Sequence, residues 1–227
     1  MSHPLEGITE ADIANYLANN PAFFERHAEL LASVQLSSPH GQRAVSLQER
    51  QMQMLRDKIK GLEYKIIEMI RHGQENVAIA DRLHRWTRAI LLTGNAAELP
   101  DIVVRELQEE FLIPQAALRV WGAADAFGHL PFAAPVSDEV KTFAGSLALP
   151  YCGVNADFEA AQWLPDAAHV LSLALIPLRH GAQTGAFGML VLGSPDATRY
   201  TADMGTEFLA RVGEIASAGL SRLLPVR

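Results

Sequence analysis

From Val45 to Ile90 the sequence carries apolar or small residues at alternating steps of three and four. Val45, Gln48, Met52, Leu55, Ile59, Leu62, Ile66 and Met69 open the series, and Gly73, Asn76, Ala80, Leu83, Thr87 and Ile90 continue it. This is a heptad repeat with its a and d positions on one stripe, and such a helix is completed by a partner helix. At 1.5 Å per residue it spans about 65–70 Å, longer than a compact domain of this size is wide. The repeat therefore predicts a homodimer whose interface includes Met52, Leu55, Ile59, Leu62, Ile66, Met69 and Leu83. It divides the chain into a head at residues 1–42, a coiled-coil helix at 43–92 and a folded domain at 93–227.

Charge follows the same division. The chain carries a net charge of −7, which argues against a protein built to coat nucleic acid. Arg43 to Arg88 nevertheless holds ten Lys/Arg against six Asp/Glu, a local +4. A basic stalk including Arg50, Arg56, Lys58 and Lys60 can meet phosphates, or it is a solvated coiled-coil surface. Lys58 and Glu63 fit the second reading, since they occupy g and e positions that a parallel partner pairs. Gly73 and Asn76 fall on consecutive core positions. They mark either a hinge or polar register layer, or the end of the coiled coil near Arg71 with a new helix from Asn76.

The head reads as short helices. Thr9 with Asp12 has the form of a capping box opening a helix through Ala11, Ile13, Tyr16 and Leu17. Asn20-Pro21 reads as an N-cap followed by proline at the first helical position. Phe23, Phe24, Leu30 and Leu31 give the head more apolar surface than it can enclose, and Phe23 and Phe24 are the candidate partner-docking residues. Ser37-Ser38-Pro39-His40-Gly41 is a turn into the stalk.

Past Leu83 the pattern is mixed. Trp86, Ile90 and Leu91 lie on a helix ended by Gly94-Asn95, and Leu99 to Leu112 is a second helix. Gln115 to Trp121 alternates as a strand. Ser137 caps a helix through Val140, Phe143 and Leu147. Val170 to Leu178 and Ala186 to Leu192 are strands joined by the turn His180 to Gly185, and Thr201 caps a last helix bearing Met204, Phe208, Val212, Ile215 and Leu220. The fold class expected is α+β: helical head, long coiled-coil helix, and a central antiparallel sheet flanked by helices.

The run Ala174-Leu-Ile-Pro-Leu178, then Gly185-Ala-Phe-Gly-Met-Leu-Val-Leu-Gly-Ser194, Tyr200 and the closing helix resembles the C-terminal half of a GAF domain. With Asn20-Pro21-Ala22-Phe23-Phe24, Leu30-Leu31, Pro39-His40 and Val45 to Gln51 added, the whole chain resembles the bacterial domain-of-unknown-function family 484. The resemblance implies a GAF-like domain that binds a small molecule on one face of its sheet, or one that only dimerises. It implies no particular activity. The chain departs from the liganded GAF patterns: Cys152 is followed by Gly153 where bilin-binding members commonly place a histidine. The single cysteine also falls short of the free methionine sulfoxide reductase type.

Candidate ligand-binding residues are Arg119, Trp121, Tyr151, Cys152, Trp163 and Ser172, the aromatic groups to stack on a ring and Arg119 to meet an anion. The competing reading is ordinary sheet packing. Cys152, placed at a helix–strand connection toward the pocket side, is either a reactive thiol or a buried small hydrophobe. Eight histidines without metal-ligand spacing predict no metal, and the glycines at 181, 185 and 188 lack phosphate-loop spacing. No catalytic motif is present, so a non-enzyme without cofactor is expected. One cysteine, no long uncharged apolar run and no basic-then-apolar N-terminus predict a cytoplasmic protein away from membranes. Function divides three ways. A dimeric module senses a small molecule through its stalk, a scaffold docks a protein partner through its head, or the basic stalk associates with DNA.

Overall fold

The sequence periodicities become helices and strands in a computed structural model that describes residues 7–33, 35–37, 44–181 and 185–225. Contacts divide the chain into two units, Met1–Gln74 and Glu75–Arg227, so the division falls inside a helix between Gly73 and Asn76.

In the first unit Thr9 caps α1 (Glu10–Asn19): its hydroxyl accepts from the Asp12 amide, and the Asp12 carboxylate accepts from the Thr9 amide. Two orphan amides are thereby satisfied reciprocally. Asn20 does something other than the expected N-cap. Its side-chain amide donates to the Tyr16 carbonyl at 2.9 Å, so it closes α1, while Pro21, at φ −60°, starts the turn into α2 (Ala22–Arg26). After α3 (Ala28–Ser33) the strands β1 (Gln35–Ser37) and β2 (Ala44–Ser46) pair antiparallel. The pattern of three-residue strands is too short to be read from sequence. Of the expected turn, residues 38–41 lie outside the described residues.

Helix α4 (Leu47–Leu92) runs unbroken through Gly73 and Asn76, so no separate helix begins at Asn76. One glycine costs a helix about 1 kcal/mol, too little to break 46 residues.

The second unit is built on a four-stranded antiparallel sheet of order β3-β6-β5-β4. These are β3 (Gln115–Val120), β4 (Tyr151–Val154), β5 (Ser172–Arg179) and β6 (Ala186–Ser194). On one face Leu118, Val120, Ala174, Ile176, Leu178, Leu190 and Leu192 form a core with Trp86 and Ile90 of α4. Val103 and Leu107 of α5 (Leu99–Phe111) join it, as do Leu209, Val212, Ala216 and Leu220 of α7 (Glu207–Leu220). On the other face Leu173, Leu175, Met189 and Val191 pack with Val140 and Ala144 of α6 (Asp138–Ser146), and with Ala160, Ala161, Leu164 and Val170. Ser137 caps α6 as expected, accepting from the Val140 amide at 3.2 Å.

Thr201 does not cap the last helix. It accepts the Met204 amide in an isolated turn, and α7 starts only at Glu207 beyond Gly205. Met204 packs against the core from that turn rather than from the helix.

Two close approaches seat α7. A Cβ built on Gly213 would lie 2.7 Å from Cγ2 of Ile176, and one on Gly219 would lie 2.6 Å from Cγ2 of Ile90. Both glycines let helix backbone lie directly on branched side chains.

Candidate functional site

Strand pairing decides which of the six expected ligand residues share a surface. Cys152 stands opposite Ala174 in the β4–β5 register, and Ser172 lies two residues before Ala174. Alternation therefore puts Cys152 and Ser172 on the face covered by α5 and α7, with Tyr151 on the opposite face. Arg119, Trp121 and Trp163 also belong to the α6 face. The six do not line one cavity, and Cys152 points away from the side expected of it.

On the α6 face Arg119 and Trp121 already donate to carbonyls of the chain. The Arg119 guanidinium donates to the Pro131 carbonyl and stands 5.9 Å from the Trp163 ring centre. The Trp121 indole N–H donates to the Ala186 carbonyl at 2.7 Å. Tyr151 meets Phe158 edge-on at 5.2 Å, and Phe158 lies 5.6 Å from Phe143. These rings cover the buried Val140, Ala144 and Leu175. The expected stacking platform thus stacks on itself.

On the helix face Ser172 is fully buried. Its hydroxyl donates to the Asp196 carbonyl at 2.6 Å and accepts the Tyr200 amide at 3.4 Å, which fixes the β6–α7 connection. Cys152 is buried beside this core, and burial pushes its thiol pKa up. A thiol with a raised pKa holds less nucleophilic thiolate, so the small-hydrophobe reading fits its surroundings.

Another cleft lies elsewhere. A groove of about 650 Å³ runs beside α7, between Ile176, Pro177, Gly213 and Ser217 on one side and Leu149 and Pro150 on another. Arg179 at its end donates to the carbonyls of Ala144, Gly145 and Leu147 at 3.2, 3.0 and 2.7 Å, closing the C-terminus of α6. Its charge serves that helix end. The sequence sign of this groove was Pro177 within a strand and Gly213 within a helix, neither of which points to a cleft by itself. Arg119 and Trp121 line two other clefts, of about 360 and 200 Å³.

The C-terminal turns of α4 are fastened to the sheet domain. Trp86 is fully buried and its indole N–H donates to the Val103 carbonyl at 3.1 Å. Arg85 makes a two-point contact with Glu110, at 2.9 and 2.7 Å, and holds that carboxyl below its ordinary pKa. Arg222 donates to the carbonyls of Thr93 and Gly94, at 2.9 and 3.0 Å, just past the end of the helix. Leu83 packs against the same core, so this member of the expected dimer seam is partly used within its own domain. Farther up, Met52, Leu55, Ile59, Leu62, Ile66 and Met69 are each about half exposed or more.

In the head, no residue of α1 is buried, and Ile13 and Tyr16 are exposed. Phe23 and Phe24 are half-buried, meeting edge-on at 5.6 Å, with Tyr16 at 6.2 Å from Phe23. Among the described residues, no group of three or more His, Cys, Asp or Glu could hold a metal ion. Among the same residues no helix is long and apolar enough to cross a membrane.

The chain is 26% identical over 219 residues to the uncharacterized protein YigA of Escherichia coli, covering 91% of this chain and 90% of that one. In fold the chain is similar to the GAF domain of a phosphoenolpyruvate-protein phosphotransferase from Coxiella burnetii: 16% identity, TM-score 0.46, 64% of this chain and 94% of the other. The corresponding GAF domain from Acinetobacter gives 15%, 0.45, 63% and 92%. From the head to the last helix, over residues 3–224, the chain matches the family "Protein of unknown function, DUF484", and it belongs to that family.

Proposed function

We propose that the protein is a non-catalytic homodimeric regulatory module whose stalk helix couples its α+β domain to a partner-docking head. The observation that carries this reading is the half-exposed apolar seam from Met52 to Met69, on a helix whose other end is bonded into the domain through Trp86, Arg85 and Arg222. An apolar stripe of that length in water needs a cover, and a second copy supplies a matching one. The interaction-scaffold form is favoured over a sensor using the α6 face, because that face is occupied by Tyr151, Phe158, Trp163 and Phe143. Phe23 and Phe24 are the head residues for a protein partner.

Ile59→Glu with Leu62→Glu puts like charges into the seam. The expected outcome by native mass spectrometry is a monomer that keeps the far-ultraviolet spectrum of the folded chain. A double variant that stays dimeric refutes the stalk as the interface.

One observation favours the sensor form: the groove beside α7 has the volume and apolar lining of a small-molecule site. A ligand there would travel with the purified protein as an added mass, and Ala218→Trp at the groove's rim would remove it. Absence of any added mass in the unaltered protein counts for the scaffold.

A further inference from the structure

The stalk's exposed apolar stripe changes column partway along the helix. Through Met69 it occupies the a and d positions. Beyond Met69 the d column is spent: Asn76 is polar, Leu83 packs on the domain core, and Ile90 is only 2% exposed within it. Of the exposed large apolar residues beyond Met69, Ile70, Val77 and Leu91 stand one position past d, with Val77 62% and Leu91 76% exposed, while Ile79 and Leu92 lie on other columns. Ile66, Ile70, Gly73, Val77, Ala80, His84, Thr87 and Leu91 step by four and three without interruption. That is a second heptad stripe, sharing the a column with the first.

We propose that two parallel copies of the chain pair along a seam that crosses from the first stripe to the second at Leu62–Ile66–Ile70. This deepens the dimer reading above and rests on it. Two successive steps of four form a stutter, which locally unwinds a left-handed supercoil. With 3.6 residues per turn, the centre of the seam swings by about 50° around the helix.

The occupant is a second copy because the stripe is complementary to itself. Ile70 and Val77 supply β-branched residues at one core column, and Gly73 and Ala80 leave room at the other. Opposite charges flank the upper part, where Lys58 faces Glu63 of a parallel mate. In the lower part the same geometry sets Asn76 beside Asp81, a hydrogen-bonding pair at the flank. The domain's apolar contacts with α4 use Leu83, Trp86 and Ile90, which lie off this stripe. Asn76 accordingly leaves the core, and Gly73 remains in it between Ile70 and Val77.

Single cysteines at Asn76, Val77 and Ile59, in chains carrying Cys152→Ala, test the crossing by diamide-driven disulfide formation between copies. Because a disulfide needs Cβ atoms about 3.5–4.5 Å apart, Val77→Cys should link at least about tenfold faster than Asn76→Cys. Retaining the buried Cys152 gives an equivalent series if the alanine background folds poorly. Equal or faster linking at Asn76 overturns the crossing and restores a single a/d seam. Linking at Ile59 with neither lower site reactive also overturns it, because the helices then part below the stutter. Monomeric mass with no linking at Ile59 removes the dimer itself, an outcome distinct from the other two.

Discussion

The contact between Gly219 and Ile90 predicts a stability effect opposite to that of an ordinary glycine-to-alanine change. In a helix, Gly→Ala gains about 1 kcal/mol, and less near a C-terminus such as residue 219. Here the new Cβ would lie 2.6 Å from Cγ2 of Ile90, about 1 Å inside normal carbon contact at 3.5–4.0 Å. Ile90 is 2% exposed and has little room to yield. Overpacking of this kind costs about 1–3 kcal/mol, so Gly219→Ala should destabilise the protein by a net ~1 kcal/mol. Ile90→Ala alone should cost about 2–5 kcal/mol, through lost burial and the cavity it leaves. In the double variant the clash disappears and the new methyl fills part of the cavity. The pair should then be about 1–3 kcal/mol more stable than the sum of the single changes. The assay is urea unfolding at one fixed protomer concentration, comparing midpoints at unchanged slope. A Gly219→Ala variant as stable as the parent, with effects that add to within about 0.5 kcal/mol, refutes the close packing of α7 on the end of the stalk helix.

Two further outcomes follow from the titrating groups. Glu110 is held below its ordinary pKa by Arg85, so it contributes stability above the ordinary carboxylate range and loses it as pH falls through its folded value. The melting-temperature gap between the parent and Glu110→Gln should therefore be widest near neutral pH and close below about pH 4; a gap that widens on acidification would contradict the ion pair. Cys152, buried with a raised pKa, should react with a disulfide reagent at pH 8 at least about tenfold more slowly in the native protein than in urea, and equal rates would show it accessible.

What the sequence revealed follows the length over which each pattern repeats. The α4 helix was legible because its period persists over many turns, and the β5–β6 pair because long apolar runs flank a glycine-bearing turn. Strand β4 was not, since Tyr151-Cys-Gly-Val is four residues long and becomes a strand by pairing with β5. That same pairing misled the reading of the site. Tyr151 and Cys152 look like neighbours of one pocket until the Cys152–Ala174 register sends them to opposite faces. Thr201 followed by Met204 mimics a cap and a stripe, and only Gly205 and the late start of α7 separate them.

The stalk shows the same limit at greater consequence. A heptad pattern records which residues need covering, and both a partner helix and the chain's own domain can cover them. Leu83 and Ile90 satisfy the repeat as well as Leu55 and Leu62 do, yet the first pair joins the core that holds Trp86, Val103 and Leu220 while the second remains exposed. The alternation in steps of three and four joins these two uses into one stripe and passes over Val77 and Leu91. Burial separates them. With Leu83 and Ile90 assigned to the domain, Ile70, Val77 and Leu91 remain exposed to continue the proposed seam, which then no longer requires Asn76 as a buried polar layer. One column of the helix is thus covered by the sheet domain through Leu83, Trp86 and Ile90, and the exposed column beside it is the one the proposed mate would cover.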